Sequence, residues 1–245
     1  MQQESFFSRL PLVTKNLIII NFIVWLADIV ISKHLPSLNL HTYAALHYFD
    51  ASDFNPVQLI TYMFLHADFM HLFFNMFALF MFGTTIERTL GSKRFLFYYV
   101  SCGLGAAIIQ EITWYFTWES TFVPMLANLN GITYDEMRLA LDQAIAMGQD
   151  LPFLNSMITI GASGAVYGIL LAFGMIFPNQ PIYLMFIPIP IKAKYFVIGY
   201  GLIELWSGFS ANDDIAHFAH LGGMLIGLFI ILYWKRKGII NGNYY

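Results

Sequence analysis

The chain has 245 residues, 58% hydrophobic and 11% charged, with a mean hydropathy of +0.62 and a formal net charge of -3. A soluble domain carries about 25% charged residues, so this composition excludes a water-soluble globule and belongs in lipid. No basic stripe is present to neutralise phosphates, so no nucleic-acid partner is expected, and a single cysteine, Cys102, excludes a disulfide framework and a Cys-rich metal site.

A membrane-spanning helix needs about 20 apolar residues, within a range of about 17 to 25. Stretches that approach this lie at 15–34, 70–86, 95–118, 161–177, 192–209 and 215–234. They predict an all-α, polytopic bundle of six transmembrane helices, forming one membrane domain over residues 1–245 in a lipid bilayer. The first stretch carries Asp28 and ends in Ser32, Lys33 and His34 rather than a small-residue cleavage site, so it is expected to be retained and not a signal peptide. Residues 35–69 form an outer connection rich in aromatic rings, which favour headgroup depth. The connection at about 119–160 is the longest and most polar. Within it, Met137, Leu141, Ala144 and Ile145 recur at helical spacing and predict one amphipathic surface helix over Tyr134 to Met147. Pro178, Pro181, Pro188 and Pro190 punctuate the join between the fourth and fifth stretches.

Charge placement sets the expected orientation. With the N-terminus in the cytoplasm, ten basic residues, from Arg9 and Lys15 to Lys235, Arg236 and Lys237, fall at cytoplasmic ends, and only Lys33 and Arg138 fall outside. The positive-inside rule then places both termini in the cytoplasm, which an even number of spans requires.

Three polar clusters open the second, fourth and sixth stretches. His66 to Asn75 carries His71 and Asn75, four apart and so on one helix face. Gly161-Ala162-Ser163-Gly164 puts a hydroxyl where free helix N–H groups favour developing negative charge. His217-Phe-Ala-His220-Leu-Gly222-Gly223 supplies an imidazole base, with Gly227 one turn on. These three stretches all run from outside to inside, so their starts share one depth at the outer leaflet, where ionisable groups are candidates for function. Gly164 with Gly168, and Gly223 with Gly227, form small faces that let two helices approach closely. Such contact would bring Ser163 as nucleophile to His220 as general base, with the Ser163 N–H, His71 and Asn75 as oxyanion donors. No carboxylate stands one turn before His220, so a dyad is expected, with packing against Tyr167 orienting the imidazole. The loop around Gly208 to Ile215 is a candidate cap over the cavity through which water enters.

These clusters resemble the rhomboid intramembrane serine proteases, which combine a His with an Asn four later, Gly-x-Ser-Gly, and Ala-His-x-x-Gly on three helices. Asn55 to His66 and Glu87-Arg88 with Gly91 look like family sequence too, so the resemblance covers about 55–234. It implies a serine endopeptidase that cuts transmembrane protein substrates, with the roles above carried onto Ser163, His220, His71 and Asn75, and with no cofactor or metal. It also implies that the fifth span is a lateral gate, with Trp206 and Phe209 as gate residues. Two features depart from the pattern: the Trp-Arg pair of the first outer loop is absent, and the connection before Ser163 is long. The leading compartment is a bacterial plasma membrane, with the site opening outward.

Singly, a serine beside glycine in a membrane helix is usually a packing residue. His66 reads as structural or cavity-lining, His217 as an interfacial histidine more readily than a partner of the site, and Glu111, Glu204 and Asp28 as structurally paired carboxylates. The alternative functions are a non-catalytic rhomboid-like protein that binds transmembrane clients, and a histidine-bearing metal protein, against which no His-Glu-x-x-His pattern occurs.

Overall fold

The computed structural model describes residues 9–35, 37–149, 151–184, 187–210 and 216–240. Helix α1 is Leu12–His34. In the segment after it, single-turn helices α2 (Leu40–Ala44) and α3 (Gln58–Thr61) flank strand β1 (Leu46–His47). The second predicted stretch is helical from Phe69 to Leu90, but α4 (Phe69–Ala78) passes through a π-turn at Leu79–Gly83 into α5 (Thr84–Leu90). There follow α6 (Ser92–Asn130), α7 (Tyr134–Ala146), β2 (Ile158–Thr159) and α8 (Ser163–Ile176). A hairpin of β3 (Pro181–Leu184) and β4 (Ile187–Lys192) carries the proline-punctuated join into α9 (Ala193–Ser210), and α10 (His217–Arg236) closes the fold.

The chain is thus an all-α membrane bundle with helix at each of the six predicted stretches. Among the described residues, four helical segments are long and apolar enough to cross a membrane: α1, the run Phe69–Leu90, α6 and α10. α8 has 14 residues, about 21 Å at 1.5 Å per residue, shorter than a hydrocarbon core of about 30 Å. It tolerates this because ten of those residues are buried against other helices rather than lipid.

The centre of the bundle is glycine against glycine. A Cβ on Gly223 of α10 would collide with the backbone of Gly164 in α8, so these two helices touch main chain to main chain. The small faces extend to a third helix that the sequence pattern did not single out. A Cβ on Gly168 would strike Cys102 of α6, one on Gly227 would strike the Tyr98 hydroxyl, and that hydroxyl donates to the Gly168 carbonyl at 2.7 Å. With little hydrophobic drive between helices in lipid, close backbone packing and such hydrogen bonds hold the trio together.

α6 corrects one boundary. Hydropathy ends its apolar stretch near residue 118, yet the helix continues to Asn130 and stops at Gly131, whose φ of +65° suits the left-handed C-terminal cap. Apolar composition marks where lipid ends, not where a helix ends. The extension is held by packing, because Val123 and Ala127 bury against Met137 and Leu141 of α7. α7 itself occupies the predicted amphipathic segment and starts with a capping box between Thr133 and Glu136.

Two buried polar side chains fix the ends of the bundle. On the inner side as read from charge, Glu87 accepts the N–H groups of Val13 and Thr14 at 2.9 and 2.7 Å, so a carboxylate on α5 caps the start of α1; the hydroxyls of Thr14 and Ser92 complete its shell. At the other end, Gln58 holds the segment between α1 and α4. Fully buried, it accepts the His47 N–H at 3.2 Å and donates to the Asp53 carbonyl at 2.8 Å. The segment it pins feeds β1, which pairs antiparallel with β2 just before the serine loop. Gln58→Ala should therefore cost about 2–3 kcal/mol, since it leaves buried backbone groups unpaired. Thermal unfolding in detergent against the wild type measures it, and an unchanged midpoint would remove Gln58 from this role.

Candidate active site

The serine loop is positioned before any side chain acts. The Gly161 N–H donates to the Tyr62 carbonyl at 2.9 Å, and Gly161 adopts φ +122°, a conformation L side chains rarely reach. Its missing side chain also makes room: a Cβ there would lie 2.7 Å from His71 Nε2 and 3.6 Å from Ser163 Oγ. Gly161 therefore lets the His71 ring approach the serine. Ser163 is the first residue of α8, where helix N–H groups have no intrahelical partner.

Ser163 Oγ and His220 Nε2 are 2.8 Å apart, within proton-transfer reach. The Tyr167 ring lies flat on the imidazole of His220, with centroids 4.2 Å apart and planes 5° from parallel. The expected packing against Tyr167 is present, but it does not act by itself. A carboxylate does reach it, from another helix: Glu204 Oε2 on α9 lies 2.9 Å from His220 Nδ1. The same oxygen is 2.7 Å from His217 Nδ1, and the Tyr167 hydroxyl donates to Oε1. His217 is thus a partner of this network, contrary to the interfacial reading. Glu204, His217 and His220 also form a cluster of metal-ligand type, their donor atoms within 4.8 Å of one another.

The other two carboxylates of the spans behave as the sequence led one to expect. Asp28 pairs with His41 at 3.1 Å, and Glu111 accepts the Phe49 N–H at 2.9 Å.

On α4, Asp68 caps the helix by accepting the His71 N–H at 2.8 Å. The Ala67 N–H points to His71 Nδ1 at 3.4 Å, which leaves Nε2 as the donor edge facing Gly161. Asn75 is buried and donates to the His71 carbonyl at 2.9 Å, so it braces the turn below His71; no hydrogen bond joins it to Ser163 among the described residues. Trp206 and Phe209 lie on the exposed side of α9, and Phe209 meets Phe218 of α10 edge to face at 5.3 Å. Of the candidate cap, residues 211–215 lie outside the described residues. A cavity of about 740 Å³ lies between α6, β2, the end of α9 and the start of α10; its wall includes Gln110, Thr113, Thr117, Ser207 and His217.

A family model described as a Rhomboid domain matches residues 53–237, most of the chain and every residue of this site. The chain belongs to the rhomboid family. It is similar to RHOMBOID-like protein 12, mitochondrial, of Arabidopsis thaliana, 28% identical over 180 residues, covering 73% of this chain and 45% of that one. Rhomboid protein 1, mitochondrial, of Saccharomyces cerevisiae is 30% identical over 178 residues, covering 70% and 40%. Presenilin-associated rhomboid-like protein, mitochondrial, of Bos taurus is 27% identical over 195 residues, covering 75% and 40%. The match spans less than half the length of each of these relatives, and their mitochondrial names lend no support to a bacterial plasma membrane.

His66 gives a pH prediction. It is buried against the His71 ring, with centroids 5.0 Å apart. Burial, with His71 adding to it, pushes the His66 imidazole down to about 4 from 6.5. The unfolded chain then binds the extra proton between these values, so stability is full above pH 6.5 and falls as pH drops toward 4. The loss amounts to about 3 kcal/mol at about 1.4 kcal/mol per unit. Unfolding midpoints of wild type and His66→Gln between pH 7.5 and 4.5 should converge as pH falls; parallel curves would show that His66 does not titrate this way.

Proposed function

We propose that this protein is an intramembrane serine endopeptidase that hydrolyses peptide bonds in or next to transmembrane segments of membrane proteins. The observation that carries this reading is the 2.8 Å contact between Ser163 Oγ and His220 Nε2 at the start of two helices packed glycine to glycine. His220 Nε2 takes the Ser163 hydroxyl proton as Oγ bonds to the substrate carbonyl carbon, and the carbonyl π electrons move onto oxygen. The Ser163 N–H and His71 Nε2–H are the donors for that oxyanion, with Asn75 able to turn its amide from the His71 carbonyl when the charge forms. His220 then returns the proton to the leaving amine, and water hydrolyses the acyl-enzyme by the same steps in reverse order. The cavity beside His217, whose wall mixes Gln110, Thr113, Thr117 and Ser207 with Trp114 and Phe218, is the proposed entry for water. Substrate enters from lipid beside α9, near Trp206 and Phe209.

The purified full chain, tested on a model transmembrane substrate in detergent and in liposomes, should cleave it. Ser163→Ala and His220→Ala should each lower the rate at least about 10³-fold, and His71→Ala about 10²-fold. A chelator should have no effect. Cleavage that survives Ser163→Ala would overturn the serine mechanism, and loss on chelation would favour a metal at the Glu204, His217 and His220 cluster. A wild type that binds the substrate without cutting it would instead make the protein a rhomboid-like client binder.

A further inference from the structure

We propose that Glu204 is the positioning carboxylate of the site, turning the Ser163–His220 pair into a three-residue relay assembled from three helices. This rests on the protease reading above. A neutral imidazole has one N–H and one acceptor nitrogen, and only the form with its proton on Nδ1 leaves Nε2 free to accept from a serine hydroxyl. A rotating hydroxyl near Nε2 is compatible with either form, so Ser163 alone does not choose. Glu204 does: its Oε2, 2.9 Å from His220 Nδ1, is an acceptor, and the contact requires the proton on Nδ1. The stacked Tyr167 ring fixes the plane of the imidazole but has no preference between its two nitrogens.

Glu204 is itself held. It is buried at 5% exposure and receives three donors, the Tyr167 hydroxyl on Oε1 and His217 Nδ1 and His220 Nδ1 on Oε2. Tyr167 sits one turn below the nucleophile and His217 three residues before the base, so residues adjacent to both reacting groups aim the carboxylate. When His220 takes the serine proton, the imidazolium forms beside a fixed negative charge. No proton moves to Glu204, which stabilises the cation in place. A carboxylate that merely joined helices would not need to contact the nitrogen opposite the one facing serine.

The test compares the wild type with Glu204→Gln, Glu204→Asp and Ser163→Ala, each as the full chain. Glu204→Gln keeps shape and burial but lets the amide donate, which favours the wrong tautomer; kcat should fall about 10²- to 10⁴-fold, with KM within about threefold of wild type. Glu204→Asp, which keeps the charge on a shorter stem, should fall between the two. If Glu204→Gln does not fold, the wild type still decides the matter. The ¹⁵N spectrum of histidine-labelled protein, with the His220 signals assigned by their loss in His220→Ala, should show the His220 proton on Nδ1. Serine-dependent cleavage with an unchanged kcat in Glu204→Gln, or a His220 proton on Nε2, would overturn the role of Glu204 while leaving the protease reading intact. A wild type with no Ser163-dependent cleavage would overturn the protease reading instead, so the two failures are distinguishable.

Discussion

The contact between Gly164 and Gly223 sets the geometry of the whole site. Ser163 and His220 precede these glycines by one and three residues, and both have short reaches from their helix axes. Their 2.8 Å separation exists because the α8 and α10 backbones meet with no side chain between them. A single methyl on Gly223 would occupy the Gly164 carbonyl and push the helices apart, and in the proposed protease even a 1 Å displacement at such a pair would cost orders of magnitude in rate. α6 backs the same contact from behind, with Cys102 against Gly168 and Tyr98 bonded to its carbonyl, so the Ser163–His220 pair rests on a three-helix core.

A second constraint comes from the solvent. Lipid offers no hydrogen bonds, so each polar group within the bundle must find its partner in the protein or cost several kcal/mol. Glu87 meets this demand by capping α1, Asp28 by pairing with His41, Glu111 by taking a backbone N–H, and Glu204 by collecting Tyr167, His217 and His220. Three of these four carboxylates tie structure to structure. The fourth is surrounded by the residues next to the proposed nucleophile and base, and that difference in company, not its burial, separates it from the others.

How much of this was legible in sequence follows from what is periodic or local. Helix at all six apolar stretches, the α7 segment and the glycine faces were readable, because hydropathy and 3.6-residue spacing are properties of one segment. The π-turn at Leu79–Gly83 was not, since nothing in Leu-Phe-Met-Phe-Gly differs from helical sequence. The extension of α6 past residue 118 was missed because its cause is packing against α7. Gln58 and Glu204 were missed for a third reason. Each acts on residues distant in sequence, and a search one helical turn from His220 cannot find a carboxylate sixteen positions earlier on another helix. A glutamate in an apolar helix was a usable signal for Glu204, yet Asp28 and Glu111 gave the same signal, and only the fold tells them apart.

Glu204 also bears on how α9 can move. Near its start, the helix packs Val197 against Gly174 of α8; at Glu204 it is bonded to both α8 and α10; beyond, Leu205, Trp206 and Phe209 are exposed, and Phe209 touches Phe218. Sliding the whole helix aside to admit a substrate would break every hydrogen bond to a buried carboxylate in a medium that cannot replace them, at a cost of several kcal/mol. Tilting only the residues after Glu204 breaks an edge-on aromatic contact worth about 1 kcal/mol. The cheaper motion would leave His220 oriented, so if substrate passes beside α9 as proposed, the hydrogen bonds of Glu204 limit how far that path can widen.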